Sequence, residues 1–68
     1  MYNYSKLKGK IKEVFGTQEA FAKAIGCSAA YISQVFNGKS FFTQQVIDKA
    51  VKVLNISASE IGIYFFAK

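Results

Sequence analysis

The stretch TQEAFAKAIGCSAAYISQVFNG, from Thr17 to Gly38, decides the fold because it holds two short helical patterns separated by a glycine. Thr17 is a suitable N-cap for the first helix, and Gly26 can end it by adopting a left-handed conformation. Ser28 can cap a second helix only two residues later. The sequence therefore predicts two helices joined by a tight turn.

The apolar residues of this stretch recur at helical spacing and predict a buried face on each helix. The inward set is Phe21, Ala24 and Ile25 in the first helix and Ile32, Val35 and Phe36 in the second. The outer face of the second helix is left with Ala29, Ala30, Ser33 and Gln34. A small chain thus leaves one of its helices almost without large side chains outside, which calls for an explanation.

One further helix precedes this pair. We expect it to begin with Ser5 as N-cap and to end near Gly16. Its predicted apolar face consists of Leu7, Ile11, Val14 and Phe15.

Two helices follow the turn at Asn37 to Ser40. Thr43 caps the first of them, Phe42 and Ile47 have the spacing of a hydrophobic staple, and Asn55 can end it. Ser57 and Glu60 form a capping box for a short last helix, with Ile56 and Ile61 as its staple. The predicted apolar face of the fourth helix is Val46, Ile47, Ala50, Val51 and Leu54.

The caps and apolar faces together predict five helices, and the length predicts that they form one all-α domain over residues 1–68, since a chain of 68 residues cannot divide into two cores. Cys27 is the single cysteine and histidine is absent, so an internal disulfide, the usual zinc sites and histidine-based catalysis are not expected. We expect a cytoplasmic protein without metal or cofactor, and no small-molecule ligand.

The charge predicts a polyanionic partner, because the sequence has nine lysines and only four acidic residues, a net charge of +5. Arginine is absent, so its bidentate contact with guanine is not available. A membrane partner is disfavoured because no apolar run reaches spanning length. The lysines of the helix that begins at Ser5 are also not gathered on one polar face, since Lys6 and Lys10 lie on one flank and Lys8 and Lys12 on the other.

An enzyme is not expected. The acidic residues are scattered, and no nucleophile has a general base beside it. The tripeptide at Gly38 to Ser40 matches the end of a phosphate-binding loop, but Ser33 stands where that motif needs a glycine.

The central pair of helices fits a helix-turn-helix over residues 17 to about 37, in which the second helix can enter the major groove of DNA. Ala22 lies where the two helices touch, and only a small side chain fits there. The run from Thr17 to Ser40 resembles the helix-turn-helix of phage Cro and repressor DNA-binding domains, the lambda-repressor-like or XRE-type family. The remainder, to about Phe66, is similar to the later helices of small phage-type members.

This resemblance implies a regulator that binds palindromic operator DNA, commonly as a homodimer, with base-reading and phosphate-binding residues assigned by position. Base contacts fall on Ser28, Ala29, Ala30, Ser33 and Gln34. Phosphate contacts fall on Thr17, Gln18, Tyr31, Asn37, Lys39 and Ser40. Gln34 is the strongest candidate, because an amide can hydrogen-bond adenine at two positions. For Tyr31 a second interpretation stays open, in which the side chain packs on Phe41 or Phe42.

The C-terminal segment contains more apolar surface than closure of the core requires. The candidates for a two-fold interface on DNA are therefore Ile63, Tyr64, Phe65 and Phe66, of which some are expected to close the core against the helix that begins at Ser5. The alternatives to a Cro-like regulator are an antitoxin-type DNA-binding regulator and, less favoured, a protein-interaction or membrane-surface module.

Overall fold

In a computed structural model, which describes residues 2–68, the protein is all-helical, as the sequence predicts. Its helices are α1 (Ser5–Phe15), α2 (Gln18–Ala24), α3 (Ala29–Phe36), α4 (Gln44–Leu54) and α5 (Ile61–Phe65), with a 3₁₀ turn at Ala58–Glu60 directly before α5. The described residues contain no β-strand. The helices surround one core, and α2 and α3 are joined by a short turn at residues 25–28, as the sequence predicts.

Local capping signals set most helix boundaries. The hydroxyls of Thr17, Ser28 and Thr43 each accept a hydrogen bond from a backbone N–H three residues later. Asn55, with φ of 54°, ends α4. The predicted caps of α2, α3 and α4 are therefore confirmed. They can be predicted from the sequence because each cap satisfies a helix-end N–H group with a side chain close in sequence.

The prediction for Ser5 is wrong. Ser5 is the first residue of α1 and Tyr4 is its N-cap, while the Asn3 side-chain oxygen accepts the Ser5 N–H at 2.9 Å. The Asn3 N–H also donates to the Ala67 carbonyl. Asn3 thus links the start of α1 to the C-terminal segment.

The core confirms most of the predicted inward face, with two corrections. Leu7, Ile11, Phe21, Ile32 and Val35 are buried. Val14 is instead 45% exposed. Ala24 is also exposed, because Ala22 and Ile25 make the buried contacts of α2 and its C-cap.

An aromatic cluster fixes the end of α3 against the first and last elements. The ring of Phe42 lies 5.6 Å from that of Tyr4, 6.1 Å from that of Phe36 and 5.7 Å from that of Phe65, all edge-on. Tilted and edge-on pairs at these separations are favourable aromatic geometries. Phe42, which belongs to no helix, therefore positions α3 relative to α1 and α5.

Candidate nucleic-acid interface

The N-terminal end of α2 is exposed and capped by a side chain. The Thr17 hydroxyl accepts the Ala20 N–H at 3.1 Å, and Gln18 is the first residue of the helix. Both side chains are exposed. The two phosphate candidates predicted at this end thus lie together on the surface.

The turn between α2 and α3 closes through backbone hydrogen bonds. Gly26 has φ of 73°, the Gly26 N–H donates to the Lys23 carbonyl, and the Cys27 N–H donates to the Ala22 carbonyl at 2.8 Å. This is the pattern of a Schellman motif, which needs a left-handed residue after the helix. Cys27 is half-buried. The turn holds α3 at a fixed direction to α2, with Ala22 buried between helices.

The faces of α3 divide as the periodicity predicts. Ile32 and Val35 are buried. The Ser28 hydroxyl accepts the Tyr31 N–H at 3.1 Å, and its own proton is free to donate outward. The base-reading candidates Ser28, Ala29, Ala30, Ser33 and Gln34 are all exposed. This outer face of α3 carries no charged side chain and presents one extended amide, that of Gln34.

A second Schellman arrangement ends α3. Gly38 has φ of 79°, and the Lys39 N–H donates to the Gln34 carbonyl at 2.8 Å. Asn37 and Lys39 are exposed, while Ser40 is half-buried. The phosphate candidates after α3 therefore lie on a tight turn whose backbone is tied to the helix.

Of the two interpretations that the sequence allows for Tyr31, a phosphate contact or packing within the protein, the structure shows packing. Its hydroxyl donates to the Phe41 carbonyl at 2.6 Å, and its ring lies edge-on to that of Phe42 at 6.3 Å. A phenol has one proton to donate. In this structure that proton is already used within the protein, so Tyr31 braces the loop between α3 and α4.

One basic residue beside α3 was missed by sequence reasoning. The Nζ atom of Lys8, on α1, lies 5.2 Å from the ring centre of Phe36, the last residue of α3. This distance is within the range of a cation–π contact. Sequence spacing places Lys8 on a flank of α1, but it does not say which helix packs beside that flank.

The predicted C-terminal patch is corrected at one position. Phe65 is 1% exposed and belongs to the core, so it cannot form a surface contact without unfolding. Ile63 and Phe66 are exposed, at 45% and 47%. Tyr64 is half-buried, and the ring of Phe66 lies edge-on to that of Tyr2 at 5.7 Å. The surface part of the patch is therefore Ile63, Phe66 and part of Tyr64.

Phe41 is the most exposed large apolar side chain described, at 73%. It borders a cleft of about 470 Å³ that is also lined by Tyr2, Tyr4, Gly38, Ser40 and Lys68. Burial raises the pKa of the Tyr4 hydroxyl, and nearby Tyr2 and Tyr31 raise it further, which keeps that hydroxyl neutral. The sequence indicates Phe41 only as a packing partner of Tyr31, since a phenylalanine doublet does not reveal which ring is buried.

Over residues 2–68, no cluster of three or more histidine, cysteine or acidic side chains is arranged to hold a metal ion. Among the helices of those residues, none has the length and apolarity needed to cross a bilayer.

The fold defines a small all-helical domain in which α2 and α3 are joined by a tight turn and the outer face of α3 is exposed. The chain belongs to the family described as "Protein of unknown function (DUF739)", whose model matches residues 1–68. It is similar to the uncharacterized HTH-type transcriptional regulator YazB of Bacillus subtilis (strain 168), with 40% identity over 59 residues, 87% of this chain and 77% of that protein.

The fold is also similar to a solved phage protein. The solution structure of the modulator of repression (MOR) of the temperate bacteriophage TP901-1 from Lactococcus lactis matches with a TM-score of 0.81 and 45% identity. The match covers 96% of this chain and 88% of that chain. The predicted all-helical fold is thereby confirmed, and the similarity to regulators supports a regulatory role.

Proposed function

We propose that this protein is a transcriptional regulator that binds duplex DNA by inserting α3 into the major groove. The observation that carries the proposal is the outer face of α3, which is exposed, small and anchored at both ends. Ser28 caps its start, and the turn at Gly38 ties its end. A helix that approaches base edges needs such a face, since bulky side chains would keep its backbone out of the groove.

In this proposal Gln34 reads a base and the small residues fit around it. Its amide can hydrogen-bond adenine N6 and N7 together, which contributes about 1–3 kcal/mol of discrimination. Ala29 and Ala30 contact thymine methyl groups, and Ser28 and Ser33 add hydroxyl contacts. Because only one extended polar side chain reads bases, DNA shape supplies a further part of the specificity.

The remaining candidates hold the backbone and set the register. Gln18 is exposed at the start of α2, and Asn37 and Lys39 are exposed in the turn after α3, where side chains can reach phosphates on either side of α3. Thr17 and Ser40 lie beside them.

A homodimer on DNA, using Ile63, Tyr64 and Phe66, would place two copies of α3 about 34 Å apart on a palindromic site. We propose a small phage or prophage Cro-like regulator.

The test is selection of bound duplexes from a randomised pool, followed by titration of the selected site by mobility shift at about 50 and 200 mM salt. We expect a palindromic site, steep weakening with salt, and relaxed selectivity at one base position per half-site for Gln34→Ala. Gln45→Ala is the matched control, because Gln45 is an exposed glutamine on α4. If no sequence is enriched and Gln34→Ala equals Gln45→Ala, α3 does not read bases.

A protein-interaction function is the second candidate. The exposed ring of Phe41 beside an aromatic cleft favours it, as does the uncharged outer face of α3. It predicts that Phe41→Ser reduces regulation in cells while duplex binding in vitro is unchanged. Equal loss of DNA binding and regulation in that variant contradicts this candidate.

A further inference from the structure

The lysines of α1 divide between two environments. Lys6 borders a shallow cleft with Asn3, Ile63 and Ala67, next to the C-terminal segment. Lys10 lies near enough to Glu60 to help lower the pKa of that carboxyl, although the hydrogen bonds from Ser57 have the larger effect. One flank of α1 therefore faces the end of the chain.

The other flank faces the helix-turn-helix. Lys8 and Lys12 line a cleft of about 240 Å³ together with Gly16, Thr17 and Gln18, and with Ile11. Ile11 is buried, whereas both lysines are exposed. Two lysines thus line the same cleft as Thr17 and Gln18, the two polar residues that begin the α2 segment.

Lys8 extends this cleft toward the other end of the helix-turn-helix. Its Nζ atom lies 5.2 Å from the centre of the Phe36 ring in the last turn of α3. A lysine can rest its apolar stem on neighbouring surface while its ammonium stays in water. The ring therefore orients the Lys8 side chain between the start of α2 and the end of α3.

The side chains that border the cleft are donors with matching chemistry. The Thr17 hydroxyl oxygen accepts the Ala20 N–H, so the hydroxyl proton can be donated to an external oxygen. The Gln18 amide has two N–H donors, and each lysine has three. Donors with two positive charges and no carboxylate in the lining suit an oxyanion.

We propose that Lys8 and Lys12, with Thr17 and Gln18, form a cleft that binds backbone phosphates of duplex DNA. The inference rests on the proposed function and adds α1 to its contact surface. The two lysines hold phosphates beside the helix-turn-helix, whereas Lys6 and Lys10 contribute only diffuse attraction. The contact sets position and salt dependence and is indifferent to base sequence.

The experiment compares two charge-matched double variants, Lys8→Gln/Lys12→Gln and Lys6→Gln/Lys10→Gln, by measuring duplex affinity across a salt series. Each lost phosphate contact reduces the logarithmic salt slope by about 0.9, which is about threefold in affinity over a fourfold salt change. Over that fourfold rise in salt, the Lys8→Gln/Lys12→Gln variant should therefore lose about tenfold less affinity than the wild type loses. The Lys6→Gln/Lys10→Gln variant should differ little from the wild type.

Additional variants separate binding from folding. Lys8→Arg/Lys12→Arg keeps both charges and should restore the wild-type salt slope. Thermal unfolding checks each variant; if Lys8→Gln unfolds because its ring contact is lost, Lys12→Gln alone carries the test against Lys10→Gln.

The outcomes distinguish this inference from the function it rests on. Equal slope changes in the two double variants overturn the cleft and leave DNA binding intact. A wild-type protein that binds no duplex even at low salt overturns the proposed function, and the cleft with it.

Discussion

The Tyr31 hydroxyl donates a hydrogen bond to the Phe41 carbonyl at 2.6 Å and thereby ties α3 to the loop that precedes α4. The residues are ten positions apart, so this bond fixes tertiary structure rather than a local turn. It also occupies the only proton that Tyr31 could donate to a phosphate.

Tyr31→Phe should consequently lower the free energy of unfolding by about 0.5–1.5 kcal/mol, the usual worth of one hydrogen bond. Urea denaturation measures this, with Tyr64→Phe as a control on α5. Duplex affinity should stay within twofold of wild type. A large loss of affinity with unchanged stability would instead restore the phosphate contact.

The two glycines at Gly9 and Gly26 should respond to alanine in opposite directions. Gly26 has φ of 73°, a left-handed conformation that costs a residue with a side chain about 1–2 kcal/mol. Gly26→Ala should therefore lower the free energy of unfolding by about 1–2 kcal/mol. Gly9 lies inside α1 with open space around an added methyl group. Gly9→Ala should stabilise by about 0.5–1 kcal/mol because alanine is the better helix former. Melting temperatures that move in the same direction for both variants would contradict these assignments.

The capping box before α5 should make stability depend on acid pH. Hydrogen bonds from the Ser57 hydroxyl and backbone lower the pKa of the exposed Glu60 carboxyl, with a smaller contribution from Lys10. Since the folded state favours the carboxylate, the stabilisation is present above the unfolded-state pKa and is lost as pH falls through the folded-state value.

Ser57→Ala removes the hydroxyl donor and should flatten the fall in melting temperature between about pH 6 and pH 3, where glutamate titrates. Glu60→Gln should remove this contribution entirely, because it has no proton to gain. Identical pH profiles for wild type and both variants would show that the capping box does not couple to folding.

Neighbouring aromatic residues at the C-terminus should separate stability from assembly. Phe65→Ala should cost about 3–5 kcal/mol, since Phe65 is buried against the Phe42 ring. Phe66→Asp should leave the fold intact, because Phe66 is half exposed.

If Phe66 belongs to the proposed two-fold contact, Phe66→Asp should weaken cooperative binding to a two-half-site duplex while leaving single half-site affinity nearly unchanged. Mobility shifts on the two duplexes compare these quantities. Unchanged cooperativity in that variant places the dimer contact elsewhere.

The sequence by itself determined the helices, their order and most of their boundaries. The hydroxyls of Thr17, Ser28 and Thr43 cap helices by accepting hydrogen bonds from the backbone three residues later. Gly26 and Gly38 end helices by adopting positive φ angles. These signals can be read from the chain because each depends only on neighbours in sequence. The exposed face of α3 followed from periodicity for the same reason.

Only the tertiary structure decided which similar neighbours are buried and what the flanks face. Phe42 and Phe65 entered the aromatic cluster while Phe41 and Phe66 remained exposed, and Val14 stayed outside a face that included Ile11. Lys8 met Phe36, which is 28 positions away. Such outcomes depend on how whole helices pack, because burial is set by contacts between residues distant in sequence, and no periodicity within a single helix specifies its neighbour.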